Sequence, residues 1–424
     1  MAEILFLAHR IPYPPTKGDK IRAYQFLAHL TRAHVVHLAC FVDDPDDWRH
    51  ADHLRSLCHE CHFAGLSRVR IWRRAAGALM GNEALSVGRL RDARLAHWIG
   101  ELVQRRPIRC VFAFSGAMAQ YLARGPAHGL RRVVDFVDVD AEKWRQLAAR
   151  RRWPLSRLYL RESRRLRAFD REAVARCDHC LFVSPAEAQS FQELIPAAAG
   201  KAVVVPNGVD SDHFSPGIRV PRPFGPGGPV VAFTGDMSYW PNEDAVLWFA
   251  QQVLPRLRAE QPDVRFVVVG RGPRRRLHRS GARLGFTLTG AVPDVRPFLA
   301  HSAVAVAPLR VAQGVPNKIL EAMAMAKAVV ATPAAVAGLR VRAGQDIVLA
   351  ADPESFARAT VRALDPQYAR VLGAHARARV LADYAWAPSL RILDRLVAPP
   401  PPMARRSWRD AMRHPPARSL PGQP

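Results

Sequence analysis

Acid is what this sequence is short of. Its 424 residues hold 37 Asp and Glu against 62 Lys and Arg, a formal charge of +25. So large an excess implies an anionic partner, whether nucleic acid, a membrane surface or a nucleotide. Long apolar runs are missing as well. No stretch of 18 or more uncharged apolar residues occurs, which excludes a membrane-spanning helix. The opening "MAEILFLAHRIPYPP" has too short an apolar stretch for a secretory signal and no cleavage-like site, so it reads as a first strand. The expectation is a cytoplasmic protein, peripheral in any membrane contact. Cysteine is scarce, at six residues. Cys58 and Cys61 in "CHECH" and Cys177 and Cys180 in "CDHC" both spell C-x-x-C, but more than a hundred residues separate the pairs, and Cys180 leads straight into the strand-like "CLFVS". The spacing departs from compact zinc modules, a buried thiol there packs as a small hydrophobe, and a reducing cytosol disfavours a disulfide. Neither a metal nor a cofactor is expected.

What is present is the composition of a folded protein, 49% hydrophobic and 23% charged, at a length comfortable for two domains. Short β-branched runs alternate with longer amphipathic stretches, the signature of parallel βα units and an α/β fold. The strand candidates are "EILFLA", "HVVHLACF", "IRCVFAF", "RVVDFV", "HCLFVS" and "AVVVP" in the first half. "VVAFTG", "VRFVVVG", "FTLTG", "AVAVAP", "AVVAT" and "DIVLA" follow in the second. Between the two sets, Pro and Gly density breaks helix and strand alike, and this reads as a linker over 206–228. After it, Val246, Phe249, Val253 and Leu257 fall on one helical face, as a helix covering a sheet requires. The reading is a first domain over 1–205, a second over 229–382, a C-terminal helix over 383–398, and a disordered Pro/Arg-rich tail over 399–424. Two doubly wound domains would then face each other across a cleft, with ligands at the carboxyl ends of the strands.

One stretch, "QGVPNKILEAMAMAKAVVAT", puts a lone carboxylate, Glu321, into a helix of Ile, Leu, Met and Ala. Pro316 and Asn317 make a helix start, with Asn317 as cap, so free N–H groups and the positive dipole end meet the preceding loop. A phosphate suits that place. Gly314 permits close approach to the main chain, Lys318 supplies a point charge, and Arg310 just upstream offers a bidentate contact. Glu321 can accept hydrogen bonds from two neighbouring hydroxyls, as a ribose offers, or it can cap the helix or pair with Lys318. The segment alone leaves both open.

The segment resembles the donor-nucleotide motif of retaining GT-B glycosyltransferases of family 4, in which two glutamates flank seven residues before "EAMA". Here the second is Glu321, while the first position holds Gln313. "VVPNGVDSDHFSP" is similar to the family's interdomain signature, "VVVGRGP" to its "VGxGP", and "LTGAVPDVRPFLAHSAVAVAPLR" carries its "G-x-V-x-D" and "aPlr" patterns. "FTGDMSYWPNEDAVLWF", "VVDFVDVDAEKW" and "NKILEAMAM" are most similar to the sugar transferases of bacterial exopolysaccharide and PEP-CTERM systems. The resemblance implies a GT-B fold of two Rossmann-like domains and transfer of a sugar from a nucleotide-sugar donor, with retention, to a glycan or lipid-linked acceptor. It implies that Glu321 holds the donor ribose and that the loop Gln313, Gly314, Val315 and Asn317 contacts sugar and diphosphate. Gly235 and Gly270, at the ends of "VVAFTG" and "VRFVVVG", would line the donor site. Gln313 can hydrogen-bond a sugar hydroxyl but carries no charge, which reduces any electrostatic help at an oxocarbenium-like transition state. The family's usual Arg and Lys after the first strand of the second domain are absent, leaving Arg310 and Lys318 for the diphosphate.

In the first domain, family members bring backbone N–H groups to the phosphates at the position of Gly18, which by itself reads equally as a turn glycine. Asp138 and Asp140 spell D-x-D, a metal signature of the other large glycosyltransferase fold; in a GT-B protein the spelling is read as accidental. Asp138 is a candidate to contact or deprotonate the acceptor hydroxyl, and Asp140 a candidate helix cap.

The tail holds five Arg against one Asp, so it explains only +4 of the +25. Between Lys143 and Arg171 stand eleven Lys or Arg against Glu162 and Asp170, interleaved with Trp153, Leu158, Tyr159 and Phe169. "LSRVRIWRRAAGALM" repeats the mixture. Such segments favour the surface of an anionic membrane, here its inner face, though a charge run can also be a solvated helix face. Two rivals remain. A nucleotide-sugar epimerase on the same frame would need an acid/base pair in the cleft. A nucleic-acid-binding protein would need patterns that the chain lacks, so no nucleic acid is expected.

Overall fold

The computed structural model describes residues 1–15, 18–67, 74–75, 77–79, 81–122, 130–149, 151–273, 275–312 and 315–398. The expected tail over 399–424 and the basic stretch over 68–73 lie outside the described residues.

All twelve strand candidates are strands. The first sheet comprises β1 (Glu3–Ala8), β2 (Val35–Val42), β3 (Glu60–Gly65), β4 (Ile108–Phe114), β5 (Arg131–Val137), β6 (His179–Phe182) and β7 (Ala202–Val204). The second comprises β8 (Val230–Thr234), β9 (Arg265–Val269), β10 (Thr287–Leu288), β11 (Val304–Ala307), β12 (Ala328–Ala331) and β13 (Val348–Leu349). Their orders are β3-β2-β1-β4-β5-β6-β7 and β10-β9-β8-β11-β12-β13, and every pairing is parallel. In each sheet the chain reverses direction of travel beside the first strand, between β1 and β4 and between β8 and β11. These are the switch points at which doubly wound sheets open a crevice.

The strand that sequence reading missed is β3, which carries Cys61 and His62 of "CHECH". It is an edge strand, half-buried along most of its length, so it lacks the continuous apolar run that revealed its neighbours. Cys177 and Cys180 lie buried with their sulfurs 3.3 Å apart, and Cys180 packs in the core of the first domain as a small hydrophobe would. Among the described residues no three His, Cys, Asp or Glu side chains are placed to hold a metal.

Val246, Phe249, Val253 and Leu257 are all fully buried under the second sheet. Their stretch runs as helix Trp240–Trp248, a π-helical segment Phe249–Val253 and helix Leu254–Glu260, the irregularity accommodating Pro255, which has no N–H to give. The C-terminal helix Trp386–Val397 returns to the first domain. Trp386, Leu393, Leu396 and Val397 share a core with Ile4, Phe6 and Phe26, and His29 meets Asp394 at 2.7 Å. The two crossings between domains therefore run side by side: the Val209 N–H donates to the Tyr384 carbonyl at 2.8 Å and the Ser389 hydroxyl to that of Pro206 at 2.9 Å.

Candidate active site

The carboxyl ends of β8 and β9 meet at two glycines. Gly270 has φ +145°, and a Cβ on it would stand 1.8 Å from the Gly235 carbonyl oxygen. A Cβ on Gly235 would in turn lie 2.9 Å from both Lys318 Nζ and Asn242 Nδ2. Gly270 therefore tolerates no side chain, and at Gly235 a side chain would displace the Lys318 ammonium and the Asn242 amide that fill the space. That ammonium donates to Asn242 Oδ1 at 2.6 Å and sits 4.1 Å from the centre of the Phe233 ring.

Lys318 belongs to helix Asn317–Ala324, which buries Ile319, Leu320, Ala322, Met323 and Ala324 in the second core. Glu321 lies one turn on from Lys318, on the same face. Among the described residues none donates a hydrogen bond to its carboxylate or forms an ion pair with it. Both side chains retain some open surface while lying deep beneath surrounding protein, as groups on the floor of a cleft do. Burial pushes Glu321 up to about 7 against the pull of Lys318, and pushes Lys318 down to about 7 against the pull of Glu321.

The helix start differs from expectation. Pro316 occupies the cap position without a side-chain bond, and Asn317 is the first helical residue. Proline's fixed φ suits that place, and Asn317 is left to reach the opposite domain. There its amide nitrogen comes within 3.5 Å of where a Gly18 Cβ would be, and its Oδ1 is buried without a hydrogen-bond partner among the described residues. Gly18 is itself the first residue of helix Gly18–Leu30. Two helix N-termini, one from each domain, thus converge beside Lys318 with no side-chain cap on the second. Val315 is half-buried against the second core. Arg310 follows β11, but its guanidinium fork is engaged by Asp244, with Nε at 3.0 Å. Gln313 and Gly314 lie outside the described residues.

Asp138 is not a free base. Lys143 Nζ lies 2.7 Å from it and 3.1 Å from Asp140, so the D-x-D carboxylates converge on an ammonium. Burial works against the Lys143 charge, yet Asp140 and Asp138 together hold its pKa above the ordinary value. Asp140 is the first residue of helix Asp140–Ala149. From the second domain, Tyr239 reaches the same place: burial raises its phenol, and Lys143 and Asp138 act on it across the cleft.

Two matches divide the chain between them. Residues 18–213 match the Glycosyltransferase Family 4 model, and residues 228–366 match the model for Glycosyl transferases group 1. This is a GT-B glycosyltransferase. No curated protein sequence matches the GT-B chain. Among solved structures it is similar to the sucrose-phosphate synthase of Thermosynechococcus elongatus, at 16% identity and TM-score 0.67 over 93% of this chain and 98% of that one. Anabaena HepE in complex with UDP-glucose aligns at 16% identity and TM-score 0.66, over 93% and 99% of the two chains. WaaG, a glycosyltransferase involved in lipopolysaccharide biosynthesis, aligns at 16% and 0.64, over the same shares. At that identity each likeness speaks for the fold.

The glycosyltransferase cleft also holds charges that sequence reading missed. Arg10, just after β1, pairs with Asp19 at 3.0 Å and Asp43 at 3.2 Å, while Arg271, just after β9, pairs with Asp236 at 3.1 Å. Burial opposes the Asp19 charge, but His9 and Arg10 overcome it and hold the carboxyl at about 2. Arg271 is lowered first by burial and then by Arg10 across the cleft. Arg10 was within the quoted "HRIPYPP", but its partners come from helix Gly18–Leu30 and the loop after β2, and nothing local announces them.

Proposed function

We propose that this glycosyltransferase moves a sugar from a nucleotide-sugar donor to a glycan or lipid-linked acceptor, with retention of anomeric configuration, in exopolysaccharide assembly on the cytoplasmic face of the membrane. The observation that carries the donor reading is the Lys318–Glu321 pair. A carboxylate that receives no hydrogen bond from the described residues and an ammonium whose pKa burial lowers stand one helical turn apart, beneath two converging helix N-termini. A diphosphate arriving beside Lys318 raises its pKa and restores its charge, while a ribose diol supplies Glu321 with two donors. HepE, the neighbour that holds UDP-glucose, supports the same ligand class. In the transfer, the bond from the sugar's anomeric carbon to the diphosphate oxygen breaks and its electron pair leaves with the diphosphate. Lys318 and the helix ends stabilise that charge. The acceptor oxygen bonds to the same face of the sugar. Its proton goes to the departing diphosphate oxygen, since Asp138 is already held by Lys143.

The test is saturation-transfer NMR with a panel of nucleotide sugars, followed by the anomeric coupling of the product. Ribose and sugar protons of one donor should saturate, and the product should keep the donor's anomeric configuration. An inverted product removes retention, and the absence of any nucleotide-sugar binding removes the donor reading.

Lys318→Ala should weaken UDP binding roughly ten- to a hundredfold while leaving uridine unaffected, because its partner is phosphate charge and a charge-assisted hydrogen bond contributes about 1.5–3 kcal/mol. Arg310→Ala should have a smaller effect, since releasing Arg310 from Asp244 offsets part of any phosphate contact. Calorimetric titration of both ligands checks this. Equal weakening of UDP and uridine would take Lys318 out of the phosphate site.

A further inference from the structure

We propose that a helical hairpin of the first domain, projecting beyond the carboxyl edge of its sheet beside the acceptor half of the cleft, docks onto the surface of an anionic lipid bilayer. The inference rests on the lipid-linked acceptor reading for its purpose and on the fold for its geometry. Helix Asp140–Ala149 begins at the carboxyl end of β5, whereas helix Leu155–Arg176 delivers the chain to the amino end of β6. The two pack along each other, with Trp144 and Tyr159 rings 5.2 Å apart. The long helix therefore runs down toward the amino edge and the short one runs up, away from the sheet. Ten residues at 1.5 Å each carry the tip about 15 Å past the strand ends. Burial agrees: the long helix has no buried residue before Glu162 and buries Leu166, Asp170, Ala173 and Val174 beyond it.

The tip is apolar and basic together. Trp153 is 73% exposed, and Leu155 and Leu160 are also exposed. Around them Arg151, Arg152, Arg157 and Arg164 are exposed, with no ion pair among the described residues. No acid occurs from residue 151 to 161. The helix also carries a second segment with it. Arg161 donates to the carbonyls of Ala78 at 2.8 Å and Gly81 at 2.7 Å, and the Glu162 carboxylate accepts from the N–H groups of Leu85 and Ser86 at 2.7 and 2.8 Å. That clamp sets exposed Leu79 on the same hairpin. An uncapped solvated helix face has no use for an exposed Trp and three Leu among unpaired arginines. Headgroup phosphates meet the guanidinium groups, the apolar side chains pass into the acyl boundary, and the arginine stems lie along it. At the root of the same hairpin sit Asp138 and Lys143, so docking brings a lipid-borne acceptor to the cleft rather than to its far side.

The test is co-sedimentation of the full chain with phosphatidylcholine vesicles of rising phosphatidylglycerol content, at rising salt, without donor or acceptor. Binding should increase with phosphatidylglycerol and fall with salt. Changing Arg152, Arg157 and Arg164 together to Ser should weaken it about a hundredfold, at about 1 kcal/mol for each basic residue reaching the surface. Trp153→Ala should weaken the binding that survives high salt. Circular dichroism and UDP titration report that these variants still fold. Absence of binding to phosphatidylglycerol vesicles at low salt, or wild-type binding by the triple variant, overturns the proposal. Tight duplex DNA binding lost in the triple variant would assign the face to nucleic acid instead. A protein that binds vesicles but transfers no sugar retains the docking face and loses the proposed function.

Discussion

Glu321→Gln should lose UDP affinity by about a hundredfold or more and, at neutral pH, melt at a higher temperature than the unchanged protein. The first effect follows from two charge-assisted hydrogen bonds to a ribose diol, which an amide of the same shape accepts only in part. The second follows from linkage. Glu321 is held up at about 7 in the fold against 4.5 when free. Between those values the folded chain binds the extra proton, so this group's contribution to stability falls as pH rises. Lys318 is held down at about 7 against 10.5. Between those values the unfolded chain binds the extra proton, so its contribution rises with pH. The Glu321 cost is complete above pH 7 and the Lys318 cost below it, so their sum peaks near pH 7, where the unliganded protein keeps a buried pair that a ligand would complete. Removing the acid removes part of that cost. A helix cap or a structural ion pair predicts the opposite, a lower melting temperature in Glu321→Gln. Thermal unfolding from pH 5 to 9, beside calorimetric titration with UDP, separates the two, and unchanged UDP affinity in the folded variant would remove Glu321 from the donor site.

That the acid could be picked out from sequence while its surroundings could not has a physical cause. A lone carboxylate in an apolar helix is a local conflict, visible without knowing the fold, and parallel strands buried on both faces announce themselves as apolar runs. The edge strand β3 has Glu60 and His62 in it and gives no such run. The C-terminal helix was legible as a helix, but its apolar face reads the same whichever sheet it covers, so its return to Phe6 and Phe26 was not. Asn317 and Gly18, some 300 residues apart in sequence, are neighbours across the cleft. Asp138 stands at a strand end, as its place after an apolar run implies, but Lys143 five residues on donates to it, a partner the D-x-D spelling does not announce. Arg10 with Arg271, and Tyr239 with Lys143, depend on how one domain faces the other, which no spacing within either records.

The largest loss of stability should come from a residue with no part in the chemistry. Arg22→Met is expected to destabilise the first domain by about 3–5 kcal/mol, the cost of leaving a buried charge without its partner. Arg22 and Asp135 are 1% and 0% exposed, joined through Nε to Oδ2 at 2.7 Å and Nη2 to Oδ1 at 3.2 Å. Burial already pushes the Asp135 carboxyl above its ordinary range with Arg22 beside it, so the arginine is what keeps an ionised group tolerable there. The same guanidinium donates through Nη1 to the Val205 carbonyl at 2.7 Å and to Asn207 Oδ1 at 2.9 Å, where the chain leaves for the second domain. One side chain thus fastens helix Gly18–Leu30, β5 and the start of the interdomain crossing. Pairing Arg22→Met with Asp135→Leu should recover much of the loss, because an apolar pair of similar volume leaves no charge to solvate. The carbonyl of Val205 stays unserved in both variants, so recovery should be incomplete. Urea unfolding of the two variants, followed by a probe in the first domain because two domains need not unfold together, measures both effects. A double variant no more stable than Arg22→Met would mean that the crossing at Val205 and Asn207, rather than the buried carboxylate, is what Arg22 chiefly holds.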